Sequence, residues 1–371
     1  MESQVILKKP VVKPKIHFQF IDGLRGFGAF WVVLRHSDPD GRISLFTSIL
    51  PQWFVDVVFR WGSLGVAIFF VLSGFVTAYS LQNTRVNFAY FKNFTLRRFV
   101  RLSPAYYVSI VITLCIAFIA SYSKGKEFEP MGQPLSAIRF IAHLFYVQDI
   151  FKLQHFDDVY WTLCLEVQFS IVFCILLGLA QLLDSYQKNN WGKLTIFIPS
   201  AIFAALYPIG VLQNYGRPTL FLPLWYSFIL GVFAYWTWHN YLKPWFFYLY
   251  AGILLFTGII YSSGFIITSS IMALLLLGVG RANRMQDSLD WSWLQFLGKI
   301  SYSLYLTHIS IIGAVYFIGY KLLNRYIWSE FICLIIGIAM SIVVATLMWR
   351  FVEKVSIKWS KNLKLKKAEN I

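Results

Sequence analysis

Charge is sparse in this chain. Asp, Glu, Lys and Arg make up 13% of its 371 residues against 58% hydrophobic residues, and the mean hydropathy is +0.60. That balance excludes a soluble globular protein and leaves an integral membrane protein. Cysteine is also scarce. The four cysteines (Cys115, Cys164, Cys174, Cys333) fall inside apolar stretches with no metal-ligand spacing, so neither disulfides nor a metal site is expected. The opening M-E-S-Q-V-I-L-K-K-P lacks a short apolar core followed by a small-residue cleavage site, so no removed signal peptide is expected. No polar stretch of domain size and no internal repeat breaks the pattern, which implies one membrane domain over 1–371 with basic tails at 1–21 and 355–371. The formal net charge of +16 is spread over loops and tails rather than gathered in one soluble basic module. This argues against a nucleic-acid partner and for contact with membrane lipids.

Long apolar runs are abundant. Runs able to cross a hydrocarbon core of roughly 30 Å occur near 24–38, 61–81, 102–122, 160–183, 195–213, 220–238, 245–262, 264–280, 296–319 and 329–350. We expect an all-α membrane protein, a polytopic bundle of about ten transmembrane helices. The stretch 135–151 is broken by Arg139, His143, Gln148 and Asp149 and reads as interfacial or re-entrant. With both termini cytoplasmic, the inner segments hold 22 Lys and Arg and the outer ones 9. This satisfies the positive-inside rule, which an eleven-helix arrangement would break at 82–101 or at the C-terminal tail.

Against this background, buried charge is informative. The first run contains Asp22, Arg25, Arg35 and His36, and ionisable groups inside a membrane are functional candidates by default. Arg25 and His36 are eleven residues apart, which on an α-helix returns to within about 20° of one face with a rise of roughly 16 Å. Asp22 joins that face. An imidazole there suits general-base chemistry, or alternatively a hydrogen bond to a neighbouring helix. Gly23, Gly26 and Gly28 in the same turns fit either close helix packing or a ligand channel.

Further candidates follow along the chain. Ser73 offers a hydroxyl at mid-depth in F-F-V-L-S-G-F. Arg97, Arg98 and Arg101, in T-L-R-R-F-V-R-L-S-P-A-Y-Y with Tyr106, either mark the cytoplasmic side or hold a phosphorylated cosubstrate through guanidinium forks. Trp161 and Glu166 open another helix, with Tyr160 and Trp161 expected at its outer interface. Glu166 is compatible with a structural ion pair, with orienting His36 or with holding a sugar hydroxyl. Ser301, Tyr305 and His308 make one stripe at i, i+4, i+7, with His308 near the depth of His36 and read first as a packing histidine. Arg350 and Glu353 have the spacing of a structural i,i+3 ion pair.

Taken in order, these motifs resemble the bacterial membrane acyltransferase family 3, which includes polysaccharide O-acetyltransferases. The resemblance covers nearly the whole chain. It rests on D-G-L-R-G at Asp22–Gly26 with its Arg-x(10)-His spacing to His36, F-F-x-x-S-G-F at Phe69–Phe75 and R-R-x-x-R-L-x-P-x-Y at Arg97–Tyr106. To these it adds W-[ST]-L-x-x-E-x-x-F at Trp161–Phe169, S-Y-S-L-Y-L-x-H at Ser301–His308 and V-E-K at Val352–Lys354. Arg35, Ser170 and Val355 depart from the family's usual residues.

The resemblance implies O-acyl transfer at the bacterial cytoplasmic membrane, from acetyl-CoA to a glycan or lipid-linked saccharide such as O-antigen, capsule or exopolysaccharide. In it His36 is the base and Arg25 and Asp22 complete the catalytic group. Arg97, Arg98, Arg101, Tyr106 and Ser73 contact the acyl donor, while Glu166, Trp161 and His308 line the acceptor site. Acceptor choice is expected to reside in Ser37–Arg60 and Ser123–Asp158. From the residues alone, buried His, Arg, Glu and Asp on several helices also fit a proton-coupled secondary transporter.

Overall fold

The computed structural model describes residues 18–188, 191–213 and 218–363, and among these residues every regular element is helical. In chain order the main helices are α1 (Gln19–Ser37), α2 (Gln52–Ser80), α3 (Phe88–Ser123), α4 (Ala137–Leu144), α5 (Tyr160–Gln187) and α6 (Gly192–Ala205). They continue as α7 (Trp225–Trp238), α8 (Pro244–Ile260), α9 (Gly264–Arg281), α10 (Ser292–Leu323) and α11 (Ile327–Asn362).

Each of the ten apolar runs has become a helix. Six of them, α2, α3, α5, α9, α10 and α11, are long and apolar enough to cross a membrane. The parts of the two expected basic tails at 1–17 and 364–371 lie outside the described residues.

Three boundaries differ from the hydropathy pattern for identifiable reasons. Helix α3 starts at Phe88 rather than near 102, because the Asn87 side chain caps it by accepting from the Tyr90 backbone N–H at 2.8 Å. The arginine-rich turns are therefore helical and continuous with the apolar part. Helix α2 begins above its apolar run, through a π-helical turn at Asp56–Arg60 and a 3-10 turn at Trp61–Leu64. Helix α11 runs past Arg350 through a second π-helical turn, Trp349–Glu353, so residues 354–362 pack as helix against α3.

The interfacial reading of 135–151 takes the form of the eight-residue α4, about 12 Å long and too short to span. Ser136 caps it, accepting from the Arg139 N–H at 3.3 Å. Ile138 and Ile141 on this helix, and Phe145 and Phe151 just after it, remain exposed.

Two close crossings set the architecture. Helix α1 lies along α10, where the glycines meet backbone directly: a Cβ at Gly26 would come within 2.5 Å of the Leu294 carbonyl oxygen, and one at Gly298 within 2.2 Å of that of Asp22. The packing reading of the α1 glycines therefore holds at Gly26. Helix α2 crosses α7 in the same way. There Gly74 faces the carbonyl of Phe228 and Gly231 that of Val71. Every residue of α7 from Trp225 to Thr237 is buried, which makes it the central post of one half of the bundle.

Candidate functional site

Between α1, α2, α3, α5, α10 and the end of α11 lies a cavity of about 600 Å³, within the range of small-molecule sites. Its wall follows α2 from Ser80 to Val66, a depth of roughly 21 Å at the helical rise per residue. Six cations line it, Arg25, Arg97, Arg98, Arg101, Lys299 and Lys361, against three carboxylates, Asp22, Glu166 and Glu353. Ser73 is also on the wall. The cavity thus brings together seven candidates that the sequence spreads over four motifs: Asp22, Arg25, Ser73, Arg97, Arg98, Arg101 and Glu166.

The carboxylates are committed to partners. Arg98 donates from Nη2 to Glu166 Oε1 at 2.8 Å, an ion pair between neighbouring helices. Arg98 Nε is buried without a partner. Glu353 corrects the expected pairing with Arg350. The π-helical turn breaks the i,i+3 register, so Glu353 accepts from Ser303 Oγ at 2.6 Å and faces the cavity, while Arg350 lies over the Phe351 ring. Arg97 donates from Nε to the Ser360 carbonyl at 2.9 Å, and Ser356 donates to the Arg101 carbonyl at 2.9 Å. The C-terminal helix is thereby pinned to the arginine turns.

Four candidates lie outside this cavity wall. Tyr106 is fully buried, stacked on Tyr146 at 4.8 Å and set edge-on to Tyr160 at 4.9 Å. Trp161 is half-buried and meets Phe70 edge to face. Tyr160, expected at the outer interface, is fully buried and hydrogen-bonded to Ser109 at 3.0 Å.

His36 and His308 form a pair of their own. His308 Nε2 lies 3.0 Å from His36 Nδ1, and the rings are 5.0 Å apart. The cavity's deep-end residue Tyr305 adjoins the pair, its ring 6.0 Å from His308. Tyr305 is held by Thr162 Oγ1 at 2.8 Å and by Phe69 edge to face.

Backbone carbonyls fix the protons on these imidazoles. His308 Nδ1 faces the carbonyls of Leu304 and Tyr305 at 3.1 and 2.9 Å, and His36 Nδ1 faces that of Val32 at 3.0 Å. A carbonyl only accepts, so both Nδ1 atoms carry hydrogen in the neutral rings. His308 Nε2 therefore accepts from His36 Nδ1–H, and the lone pair of His36 resides on Nε2. That tautomer is the one a general base needs. His308, expected as a packing histidine, packs against His36 across two helices, a contact that a linear sequence does not display.

The segment between α3 and α5 holds a second polar cluster, two of whose members, Arg139 and His143, the sequence marked only as breaks in the apolar stretch 135–151. Arg139, only 2% exposed, donates to the carbonyls of Pro130, Gln133, Gln154 and His155 at 2.7 to 2.9 Å. His143 donates from Nδ1 to the Arg139 carbonyl and accepts from the Phe156 N–H at Nε2, and burial pushes its pKa down to about 4. Asp157 accepts from Ser310 on α10 at 3.0 Å, and burial pushes its carboxyl up to about 6. Among the described residues, no group of three His, Cys, Asp or Glu side chains is arranged to hold a metal ion.

Comparison with known proteins follows the same lines. The family model described as "Acyltransferase domain" matches residues 18–350. The chain is 26% identical to the Bacillus subtilis (strain 168) protein named "Putative peptidoglycan O-acetyltransferase YrhL" over 54% of its own length and 30% of that protein's. It is 25% identical to a Staphylococcus aureus (strain COL) protein named "Putative O-acetyltransferase", over 90% of its own length and 56% of that protein's. The chain thus spans between 30% and 56% of the length of these relatives. No solved structure matches it.

Proposed function

The chain belongs to the acyltransferase-domain family, and from that premise we propose that it is a membrane-embedded O-acyltransferase. In this reading it moves an acetyl group from cytoplasmic acetyl-CoA to a hydroxyl of a glycan, or of a lipid-linked saccharide, on the far side of the bacterial cytoplasmic membrane. This reading takes ten spans with both ends cytoplasmic, an arrangement that would put the arginine cavity on the donor side. The observation that carries the reading is the gathering of Arg25, Arg97, Arg98 and Arg101 around one deep cavity whose inner end adjoins the His36–His308 pair.

The chemistry follows from the parts. Guanidinium forks hold the CoA phosphates at the mouth, and the unpartnered Arg98 Nε adds a donor. The roughly 21 Å depth lets the pantetheine arm carry the thioester down to Tyr305. His36 Nε2 takes the proton of the acceptor hydroxyl as its oxygen attacks the thioester carbonyl. The tetrahedral intermediate then collapses, the C–S bond breaks, and the imidazolium returns the proton to the leaving thiolate. His308 acts by holding His36 Nδ1–H and so keeping Nε2 as the base.

The test is transfer of radiolabelled acetyl from acetyl-CoA to isolated cell-surface glycan by the purified protein in nanodiscs. Label should reach the glycan, and Arg98→Ala should raise the KM for acetyl-CoA. No transfer with any glycan, together with proton-dependent solute uptake in liposomes, would support the transporter reading, which the family assignment disfavours.

A further inference from the structure

At the end of the bundle opposite the arginine cavity lies a second, smaller concavity of about 450 Å³, lined by Arg42, Lys124, Tyr316, Phe317, Tyr320 and Lys321 with Gly313 at its base. We propose that it is a binding site for the phosphate group of a lipid at the membrane boundary.

Charge is the first argument. The Lys124 and Lys321 ammonium groups lie over the same ring, Phe317, at 5.0 and 4.5 Å, and the Arg42 guanidinium lies over Tyr316 at 5.3 Å. Among the described residues none of the three cations is in an ion pair. Two like charges gathered at one aromatic ring repel each other, and a bound anion removes that cost.

The second argument is a missing partner. Tyr316 is 2% exposed, yet its hydroxyl has no hydrogen-bond partner. A buried hydroxyl left unpaired is costly, and a phosphate oxygen would accept from it.

Position is the third. Lys124 caps the end of α3, and Tyr316 to Lys321 occupy the last turns of α10. Arg42 is tied to them because Tyr320 donates to its carbonyl at 2.7 Å. On the ten-span reading the ends of α3 and α10 stand at the level of the bilayer lipid phosphates. Tyr316 is eight residues beyond His308 on the same helix, about 12 Å along its axis. A saccharide held by its lipid phosphate here would reach the His36 region. That the phosphate belongs to the acyl acceptor rests on the acyltransfer reading; the phosphate site itself does not.

The experiment is native mass spectrometry of the full chain with two probes, undecaprenyl phosphate and phosphatidylglycerol, and with diacylglycerol as the uncharged control. The wild type should retain a phosphate-bearing probe over diacylglycerol. Combined Arg42→Ala, Lys124→Ala and Lys321→Ala substitution should weaken that retention by about tenfold or more while acetyl-CoA binding is kept. Tyr316→Phe should weaken it less. Preference for undecaprenyl phosphate assigns the site to a lipid-linked saccharide, and equal retention of both assigns it to bulk headgroups as well. If the combined variant loses acetyl-CoA binding, Lys321→Gln alone, at an exposed position, carries the test. Undiminished retention of both probes by the variants overturns the proposal. Failure of acetyl transfer with these binding results intact would reject the enzyme reading and leave the phosphate site standing.

Discussion

His308 shows how one residue's neighbours decide its role. With its Nδ1 hydrogen engaged by two carbonyls, it has only a lone pair to offer His36. Removing that acceptor takes one partner from the His36 Nδ1–H and weakens the hold on its ring. We expect His308→Ala to lower kcat about tenfold to a hundredfold with the KM for acetyl-CoA unchanged, since a lost buried hydrogen bond is worth roughly 1–3 kcal/mol. His308→Gln, whose side-chain carbonyl can accept, should recover part of the loss. Unaltered kcat in both variants would return His308 to a packing role.

A second residue-scale prediction concerns His143. Its pKa is pushed from 6.5 to about 4, so the folded chain refuses a proton that the unfolded chain takes up. The corresponding stability is fully present above about pH 6.5 and is lost as pH falls towards about 4. Asp157, raised to about 6, works in the opposite sense over an overlapping window, so the difference between two proteins is the quantity to measure. The melting-temperature advantage of wild type over His143→Gln should shrink as pH is lowered from 6.5 to 4. A constant difference would contradict the assignment.

At the scale of elements, the sequence was legible where apolar length decides and illegible where backbone detail does. All ten apolar runs became helices because each can bury or shield a continuous stretch of side chains. The extra helical turns before α3 were hidden by their arginines, which hydropathy counts against a span although Asn87 caps them as helix. The register of Glu353 was hidden by a π-helical turn that no spacing rule anticipates. Tyr106 was legible as a motif residue and illegible as a buried one, because its environment is supplied by Tyr146 and Tyr160 from distant parts of the chain.

Glycine contacts give this scale its prediction. At the α2–α7 crossing a Cβ on Gly74 or Gly231 would stand 1.9 Å from a carbonyl oxygen of the other helix, so the helices must separate to admit it. Gly74→Ala and Gly231→Ala should each lower the apparent melting temperature, with an overpacking cost of about 1–3 kcal/mol. Gly252→Ala on α8, where nothing lies within 4 Å, serves as the control and should not lower it. Equal behaviour of all three would mean that the crossing is looser than described.

At the scale of the whole molecule the bundle has two ends and a middle. One end collects Arg25, Arg97, Arg98, Arg101, Lys299 and Lys361 around the deep cavity; the other holds Arg42, Lys124 and Lys321. Between them, reached through Tyr305, lie the paired imidazoles. The positive-inside count anticipated the first cluster as a topology signal, but not that its arginines share a cavity with Asp22 and Glu166. Nor could spacing along α1 anticipate that His36 would turn to α10 while Arg25 turned to the cavity, because that depends on where Phe69 and Tyr305 stand.

The central claim is that His36 is the base that moves the acyl group while the arginine cavity holds the donor. Steady-state acetyl transfer by His36→Ala, measured beside acetyl-CoA binding to the same preparation, tests it most directly. The account predicts a kcat lower by about 10²- to 10⁴-fold with donor binding retained. Wild-type turnover in His36→Ala would contradict it.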